Sequence, residues 1–424
     1  MTKSLSVWWD GDVVGQLQID EHGDLAFVYD AGWLADPAAR AISISLQKRA
    51  EPFNRRETRP FFAGLLPDEG QREAVARALG VSKGNDFRLL EQLGGDVAGA
   101  LTLWPEGETP PAATGLGGAE PLDDAHLVEI LDTLPTRPFL AGAEEGLRLS
   151  LAGAQQKLPV ILLNGRVALP APGQPSTHIL KPPIAHLPGT TENEALALRL
   201  AWGVGLKAAP VSPRRAGDRA YLLVERYDRD VAADGAVRRL HQEDFCQALG
   251  IAPEKKYASE GGPTFRPCFD LVRQATAQPA PAVLRLLDAA IFNVIVGNAD
   301  AHGKNFSLLY RPEGIDFAPL YDLMCTVAYP DVHAKLAMKV AKRATLEEFT
   351  PTTWEEFGRE IGMGGPFVRR RATALAERVI DTLPYAAEGI ASAGFEGDEL
   401  RRIEDVIRRR ARKVVDLGAT AKAG

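Results

Sequence analysis

Cysteine is scarce in this chain: Cys246, Cys268 and Cys325 are the only three, and they lie far apart with no zinc-ligand spacing between them. An odd number does not build a disulfide framework. Long apolar runs are missing too. No stretch approaches the ~18 consecutive apolar residues of a membrane-spanning helix, and the opening MTKSLSVWWDGD has no apolar core of a secretory signal. There is no internal repeat and no low-complexity tract, which excludes a fibrous array. Nor is there an excess of positive charge: 49 Lys and Arg against 56 Asp and Glu leave −7. A surface that coats phosphate all over is therefore excluded, which leaves room only for a local basic face. What is present is ordinary globular composition, 45% hydrophobic and 25% charged over 424 residues. That length suits two or three domains. The chain reads as soluble and cytoplasmic.

Asp10-Gly11 is a hairpin signal between two alternating, strand-like runs, and a second turn falls at Glu21–Asp24. Helical patterns follow over Gln71–Leu79 and Asn85–Leu93, the second with Asn85 or Asp86 as N-cap and a stop at Gly94-Gly95. A strand-like Ala98–Trp104 comes next. Four prolines and four glycines crowd Pro105–Pro121 with no hydrophobic period, marking a linker or long loop. After a short helix, Asp123–Thr133, the chain is strand-rich from about Leu147 to Leu180 and again over Ala220–Tyr227. Between these, Thr191-x-x-Glu194 reads as a capping box opening a helix. From His241 onward the pattern is mostly helical, with Leu284, Leu287, Ile291 and Ile295 running into Gly297.

The most informative segment is Gly297-Asn298-Ala299-Asp300-Ala301-His302-Gly303-Lys304-Asn305, between that apolar helix and the strand-like Phe306–Tyr310. Asp300 and Asn305 stand five apart, the spacing of a kinase catalytic loop, in which the Asp takes the acceptor hydroxyl's proton and the Asn binds magnesium. Seventeen residues on, Asp322 offers a second hard-oxygen ligand. The same residues also fit a polar loop in which Asp and Asn satisfy backbone groups. A metallohydrolase on His302 and the two acids lacks a second His at ligand spacing.

Lys181 ends the strand-like Ser176–Lys181 ahead of a helix with Glu192 and Glu194, which mirrors the lysine–glutamate arrangement of kinases. A snorkelling surface lysine fits it as well. In Ser150-Leu151-Ala152-Gly153-Ala154-Gln155-Gln156-Lys157, the small residues let backbone N–H groups approach a phosphate. The Walker spacing is absent, and a tight turn explains the same residues. Leu222–Asp228 looks like a buried strand turning polar. It is either a hinge offering backbone to adenine or a plain strand with Arg226 and Asp228 exposed.

The order of these words resembles the HipA family of toxin serine/threonine kinases over nearly the whole chain. Ser-x-Ala-Gly-Ala-Gln-x-Lys, His-Ile-x-Lys, Glu-Asn-Glu, Val-Glu-Arg-Tyr-Asp-Arg, His-Gln-Glu-Asp-Phe, Asp-x-His-x-Lys-Asn and Tyr-Asp follow one another. Arg59–Pro67, Asn85–Phe87, Leu93–Asp96, Lys256-Tyr257 and Gly261-Gly262-Pro263 are further family-like words.

The resemblance implies an α+β, two-lobed protein-kinase-like fold. It has an N-terminal α+β subdomain over 1–105, a linker over 106–121, a strand-rich nucleotide-binding lobe over 122–230 and an all-helical catalytic lobe over 231–424. It implies ATP- and magnesium-dependent phosphorylation of a protein serine. Asp300 would be the base, Asn305 and Asp322 the metal ligands, and Lys181 the phosphate clamp. Ala152, Gly153, Ala154, Gln155, Gln156 and Lys157 would form the phosphate-binding loop. Glu225, Arg226 and Tyr227 would offer backbone to adenine, with His302, Lys304 and Tyr321 lining the nucleotide. Ser150 matches the family's autophosphorylated serine. Gln156 departs from the family, where Glu is common.

The family further implies a HipB-like helix-turn-helix antitoxin that represses the operon together with this chain, a protein target, by family analogy an aminoacyl-tRNA synthetase, and no membrane. Basic runs at Arg369–Arg371 and from Arg401 to Lys413 fit either phosphate contacts or a solvated helix face, so operator DNA would be read mainly through the antitoxin. A small-molecule kinase and a non-catalytic corepressor are the competing classes.

Overall fold

Asp10 and Gly11 take left-handed φ values of 50° and 91°, turning the strand Lys3–Trp9 back onto Asp12–Ile19. Leu25–Tyr29 pairs with the outer edge of Asp12–Ile19, and Leu101–Pro105 pairs with Lys3–Trp9. The result is a four-stranded antiparallel sheet with Leu5 opposite Leu17 and Val7 opposite Leu103. One face carries Leu5, Val7, Leu17 and Phe27 into a core shared with Phe61 and Phe62 of the helix Arg55–Gly64 and Leu89 and Leu90 of Asp86–Leu93. Both helices are capped as their sequences demand. Asn54 and Glu57 close a reciprocal capping box, and the Asn85 side chain accepts the Arg88 N–H.

The computed structural model describes residues 2–112, 115–142 and 147–420. Its chain divides into two units. The first holds residues 1–182, 215–254 and 309–312, and the second the remainder, so the backbone passes from one to the other after 182, 214, 254, 308 and 312.

Besides the sheet above, the first unit contains the antiparallel strands Arg166–Ala168, Leu158–Leu163, His178–Lys181 and Arg219–Glu225 in that spatial order, continued by Val211–Ala216, which enters the unit at Arg215. His178 lies opposite Glu225 and Lys181 opposite Leu222. In the expected connector over 106–121, residues 113 and 114 lie outside the described residues. The described residues 106–112 and 115–120 hold no helix or strand, and Leu116 N–H donates to the Gly235 carbonyl at 2.9 Å.

The second unit is built on the helices Thr190–Gly203, Phe265–Ala275, Pro279–Val296, Thr353–Glu360, Gly365–Ile390 and Asp398–Thr420. Two strands, Ser307–Arg311 and Gly314–Phe317, follow Pro279–Val296 along the chain, residues 309–312 belonging to the first unit. Phe265, Phe269, Trp354 and Phe357 form an edge-to-face aromatic cluster. Pro279–Val296 is long and apolar enough to cross a membrane, but most of it is buried in protein, and its charges are paired. Asp288 accepts from the Arg371 guanidinium, and Arg285 meets Asp316. It is a core helix.

The capping box at Thr191 is not formed. Gly189, at φ 74°, is the N-cap, the helix starts at Thr190, and the Thr190 hydroxyl accepts the Ile184 N–H at 2.9 Å. The left-handed glycine sets the helix entry two residues earlier than the Thr-x-x-Glu pattern suggests. All three cysteines are buried free thiols.

Candidate active site

In the second unit, Pro279–Val296 ends at Gly297 in the left-handed conformation, φ 79°, with its N–H on the Asn293 carbonyl. A Cβ there would meet Val327 Cγ2 at 2.4 Å, so glycine is required twice over. The loop that follows is fixed at several points. Thr326 Oγ1 donates to the Gly297 carbonyl at 3.1 Å and accepts the Ala299 N–H at 2.8 Å. Asn298 Nδ2 donates to Asn293 Oδ1 at 2.8 Å and to the Asp322 carbonyl at 3.4 Å.

Within this frame Asn305 Nδ2 donates to Asp322 Oδ2 at 3.1 Å, and Asn305 Oδ1 accepts the His302 N–H at 3.1 Å. Asp322 itself is held at φ 57°, a conformation that costs a non-glycine residue about 1–3 kcal/mol and persists only where surroundings enforce it. Tyr321 donates to the Lys304 carbonyl and accepts from Ser307 Oγ, both at 2.7 Å. His302, Lys304 and Asn305 are buried, whereas Asp300 is exposed. The expected residues Asp300, His302, Lys304, Asn305, Tyr321 and Asp322 thus lie on one loop and one adjoining turn.

Among the described residues no group of three or more His, Cys, Asp or Glu could hold a metal. Asn305 and Asp322 supply a smaller set of hard oxygens. That set suits magnesium, which takes one or two carboxylates and fills its remaining positions with water and phosphate oxygens.

In the first unit, the 152–157 loop is drawn together by Lys157, whose Nζ donates to the Ala152 carbonyl at 2.6 Å. Gly153 sits at φ 112°. Its carbonyl accepts the Asp68 N–H at 3.2 Å and Gln71 Nε2 at 3.4 Å, and Gln71 also donates to the Gln155 carbonyl. Gln155 reaches the Pro182 carbonyl at 3.4 Å, next to Lys181 at the end of its strand. Ser150 is fully buried, with Oγ on the Leu65 carbonyl at 2.8 Å and its N–H on the Asp96 carbonyl at 3.1 Å.

The Arg226 side chain is not exposed. It donates to Asp228, Asp96, Ser176 Oγ and the Val97 carbonyl, while its N–H is on the Thr177 carbonyl at 3.0 Å. Arg229 and Arg239 complete the cluster on Asp96. Burial would raise the Asp96 carboxyl, but Arg229, Arg226 and Arg239 outweigh it and hold the group well below the usual range. Glu225 is exposed, and the Tyr227 hydroxyl donates to Gln242.

The basic runs are largely occupied within the second unit. Arg369 pairs with Glu355 at 3.0 Å, Arg371 with Asp288, Arg402 with Glu399 at 2.5 Å and Arg408 with Glu404, and Arg410 donates to the Val294 carbonyl. Arg370, Arg409 and Arg412 are exposed. Sequence reasoning gave no role to Gln71, Asp96, Tyr257 or Thr326. Each touches a candidate site residue, or for Thr326 the loop that carries them, from far along the chain, so no local pattern could announce it.

Residues 5–104 match the model of the HipA N-terminal domain and residues 149–387 that of the HipA-like C-terminal domain. Y4mE of Sinorhizobium fredii, provisionally named a kinase, is 57% identical over 97% of this chain and 98% of its own length. The serine/threonine-protein kinase toxin HipA of Shewanella oneidensis is 32% identical over 81% of this chain and 79% of its own. A solved complex of the Shewanella oneidensis toxin–antitoxin system, containing HipA, HipB and operator DNA, has a chain that superposes with a TM-score of 0.84 at 26% identity, covering 99% of each chain. The chain belongs to the HipA family of toxin kinases, and its fold is α+β.

Proposed function

We propose that the chain transfers the γ-phosphate of ATP to a serine of a protein, as the toxin of a toxin–antitoxin pair. The observation that carries this reading is the Asn305–Asp322 hydrogen bond: Asn305, on the loop of the exposed Asp300, holds through Nδ2 a carboxylate that sits on a strained backbone. Asp300 would accept the serine hydroxyl's proton as the new oxygen–phosphorus bond forms and the bond to the ADP leaving oxygen breaks. Asn305 and Asp322 would hold magnesium, which supplies charge neutralisation at the phosphate oxygens. Lys181 would clamp phosphate, and Ala152–Lys157 would present backbone N–H groups to it, so Gln156 in place of Glu would have a modest effect. Glu225–Tyr227 would meet adenine, and His302, Lys304 and Tyr321 would line the nucleotide.

Ser150 is the proposed autophosphorylation site. A phosphate adds about −1.5 to −2 charge, which a fully buried position cannot take, so the modified segment would leave its place and switch transfer off. The preferred target is an aminoacyl-tRNA synthetase, in the cytoplasm. A HipB-like antitoxin would be the partner, with operator DNA bound mainly through it.

The test is transfer from labelled ATP with magnesium by wild type and Asp300→Ala, read by phosphoproteomics on a cell lysate. A lysate protein phosphorylated on serine by wild type alone establishes the kinase and names its target. Label only on small molecules favours a small-molecule kinase. Silence from both proteins despite ATP binding favours a corepressor without catalysis.

A further inference from the structure

Lys256-Tyr257 and Gly261-Gly262-Pro263 build one local device. The Tyr257 hydroxyl donates to Asp300 Oδ1 at 2.9 Å. Its ring stands edge-on to His302, centroids 5.1 Å apart, and the Lys256 ammonium lies 5.3 Å from the ring centroid. The backbone is fixed as firmly. The Tyr257 carbonyl accepts the N–H groups of Glu260 and Gly262, both at 2.9 Å. Gly261 takes φ 92°, and a Cβ on Gly262 would come within 2.2 Å of the Lys255 carbonyl oxygen and 2.7 Å of that of Tyr257. Only glycine closes this turn. The turn is also tied to the 297–305 loop on both sides of Asp300: Gly303 N–H donates to the Lys256 carbonyl at 3.4 Å, and Ala337 accepts from Ala258 and donates to the Ala299 carbonyl at 2.7 Å.

From this we infer that Tyr257 is a positioning residue for phosphoryl transfer, one that sets the orientation of the Asp300 carboxylate toward the acceptor hydroxyl. The inference rests on the kinase reading above. An exposed aspartate on a loop samples several rotamers, and a base must hold its oxygen within hydrogen-bond reach of the proton it takes. A phenol anchored by a glycine turn and by the His302 ring holds one carboxylate oxygen and narrows the rotation of the group. The phenol passes no proton to the phosphate and forms no covalent bond. Its donation is worth most where the base is aimed, so its loss falls on turnover rather than on nucleotide binding.

Tyr257→Phe keeps the ring against His302 and removes the hydroxyl alone. With labelled ATP and magnesium, the initial rate of phosphate incorporation into lysate protein is measured against ATP concentration for wild type, Tyr257→Phe and Tyr257→Ala. The expected result is a fall in kcat of about 10- to 100-fold for Tyr257→Phe, the scale of a misplaced catalytic group, with KM for ATP and the melting temperature unchanged. Tyr257→Ala should fall further and also lose melting temperature. Wild-type kcat in Tyr257→Phe overturns the inference while leaving the kinase reading intact. So does a raised KM with normal kcat, or phosphate found on Tyr257 itself, which would make it an acceptor. If wild type transfers no phosphate, the kinase reading fails and this inference with it.

Discussion

Arg410, on the last helix, donates through Nε and Nη2 to the carbonyl of Val294 at 3.2 and 2.8 Å. Val294 lies in the final turn of Pro279–Val296, where carbonyls have no partner inside their own helix. The guanidinium therefore caps a helix end from outside it, and its Nε lies 2.9 Å from where a Cβ on Gly297 would stand. Arg410→Met leaves the buried carbonyl unmet and should cost about 1–3 kcal/mol. It should also slow transfer, because the loop bearing Asp300 starts at that turn. Arg410→Lys, a single point charge without the planar fork, should fall between. Urea titration and the labelled-ATP assay check both. Unchanged transfer in a folded Arg410→Met protein would sever the helix cap from the chemistry.

The cluster around Asp96 predicts a different outcome, since it concerns stability alone. Arg226, Arg229, Asp96 and Asp228 are buried together. Removing one partner strands charge in the interior, at about 3–5 kcal/mol. Arg226→Met and Asp96→Ala should each lower the urea midpoint strongly, and the double variant should lose clearly less than the sum of the two. Strict additivity would mean that the charges are independent.

Two buried groups give opposing pH dependences. Burial pushes the Glu243 carboxyl up to about 7, against donors from Ser43, Tyr310 and Ile44. A raised carboxyl contributes stability below its ordinary value near 4.5 and loses it as pH climbs to 7. Burial pulls His241 down to about 4, so its contribution is present above 6.5 and lost as pH falls to 4. Thermal melts from pH 4 to 8 should show Glu243→Gln gaining on wild type as pH rises, by up to about 3 kcal/mol at ~1.4 kcal/mol per unit. His241→Gln should gain on wild type as pH falls. Flat differences in both would refute the assignment.

At Ser150, Ala removes one donor to the Leu65 carbonyl and should cost about 1 kcal/mol. Ser150→Asp puts an unpaired carboxylate in the same buried place and should cost several times more. It should also open the adjoining loop, so that trypsin cuts after Lys157 faster than in wild type. Equal cleavage in the two would break the link between Ser150 chemistry and loop release.

How much of this was legible in the sequence follows from distance along the chain. The Asp10-Gly11 turn, the Asn85 cap and the helix running into Gly297 are local, fixed by a residue's φ preference or a side chain reaching its own backbone. The spacing of Asp300 and Asn305 marked the loop for the same reason. The capping box at Thr191 misled because the preceding left-handed Gly189 competes for the same helix start. Of the two readings of Leu222–Asp228, the one that left Arg226 exposed fails: charged residues are seldom buried unless paired, and its partner Asp96 lies far upstream. The phenol of Tyr257 on Asp300 spans two segments that no periodicity links.

The repeated passage of the backbone between the two units bears on synthesis. Tyr310, which donates to Glu243, belongs to the first unit yet is translated long after the sheet that opens the chain. Domains close as units while they leave the ribosome, so this one stays unfinished until most of the message has been read. Arg410 emerges later still. A polypeptide ending between Asp300 and Thr326 would carry that aspartate on a loop without its Thr326 and Arg410 braces, so the proposed transfer would come only from completed copies.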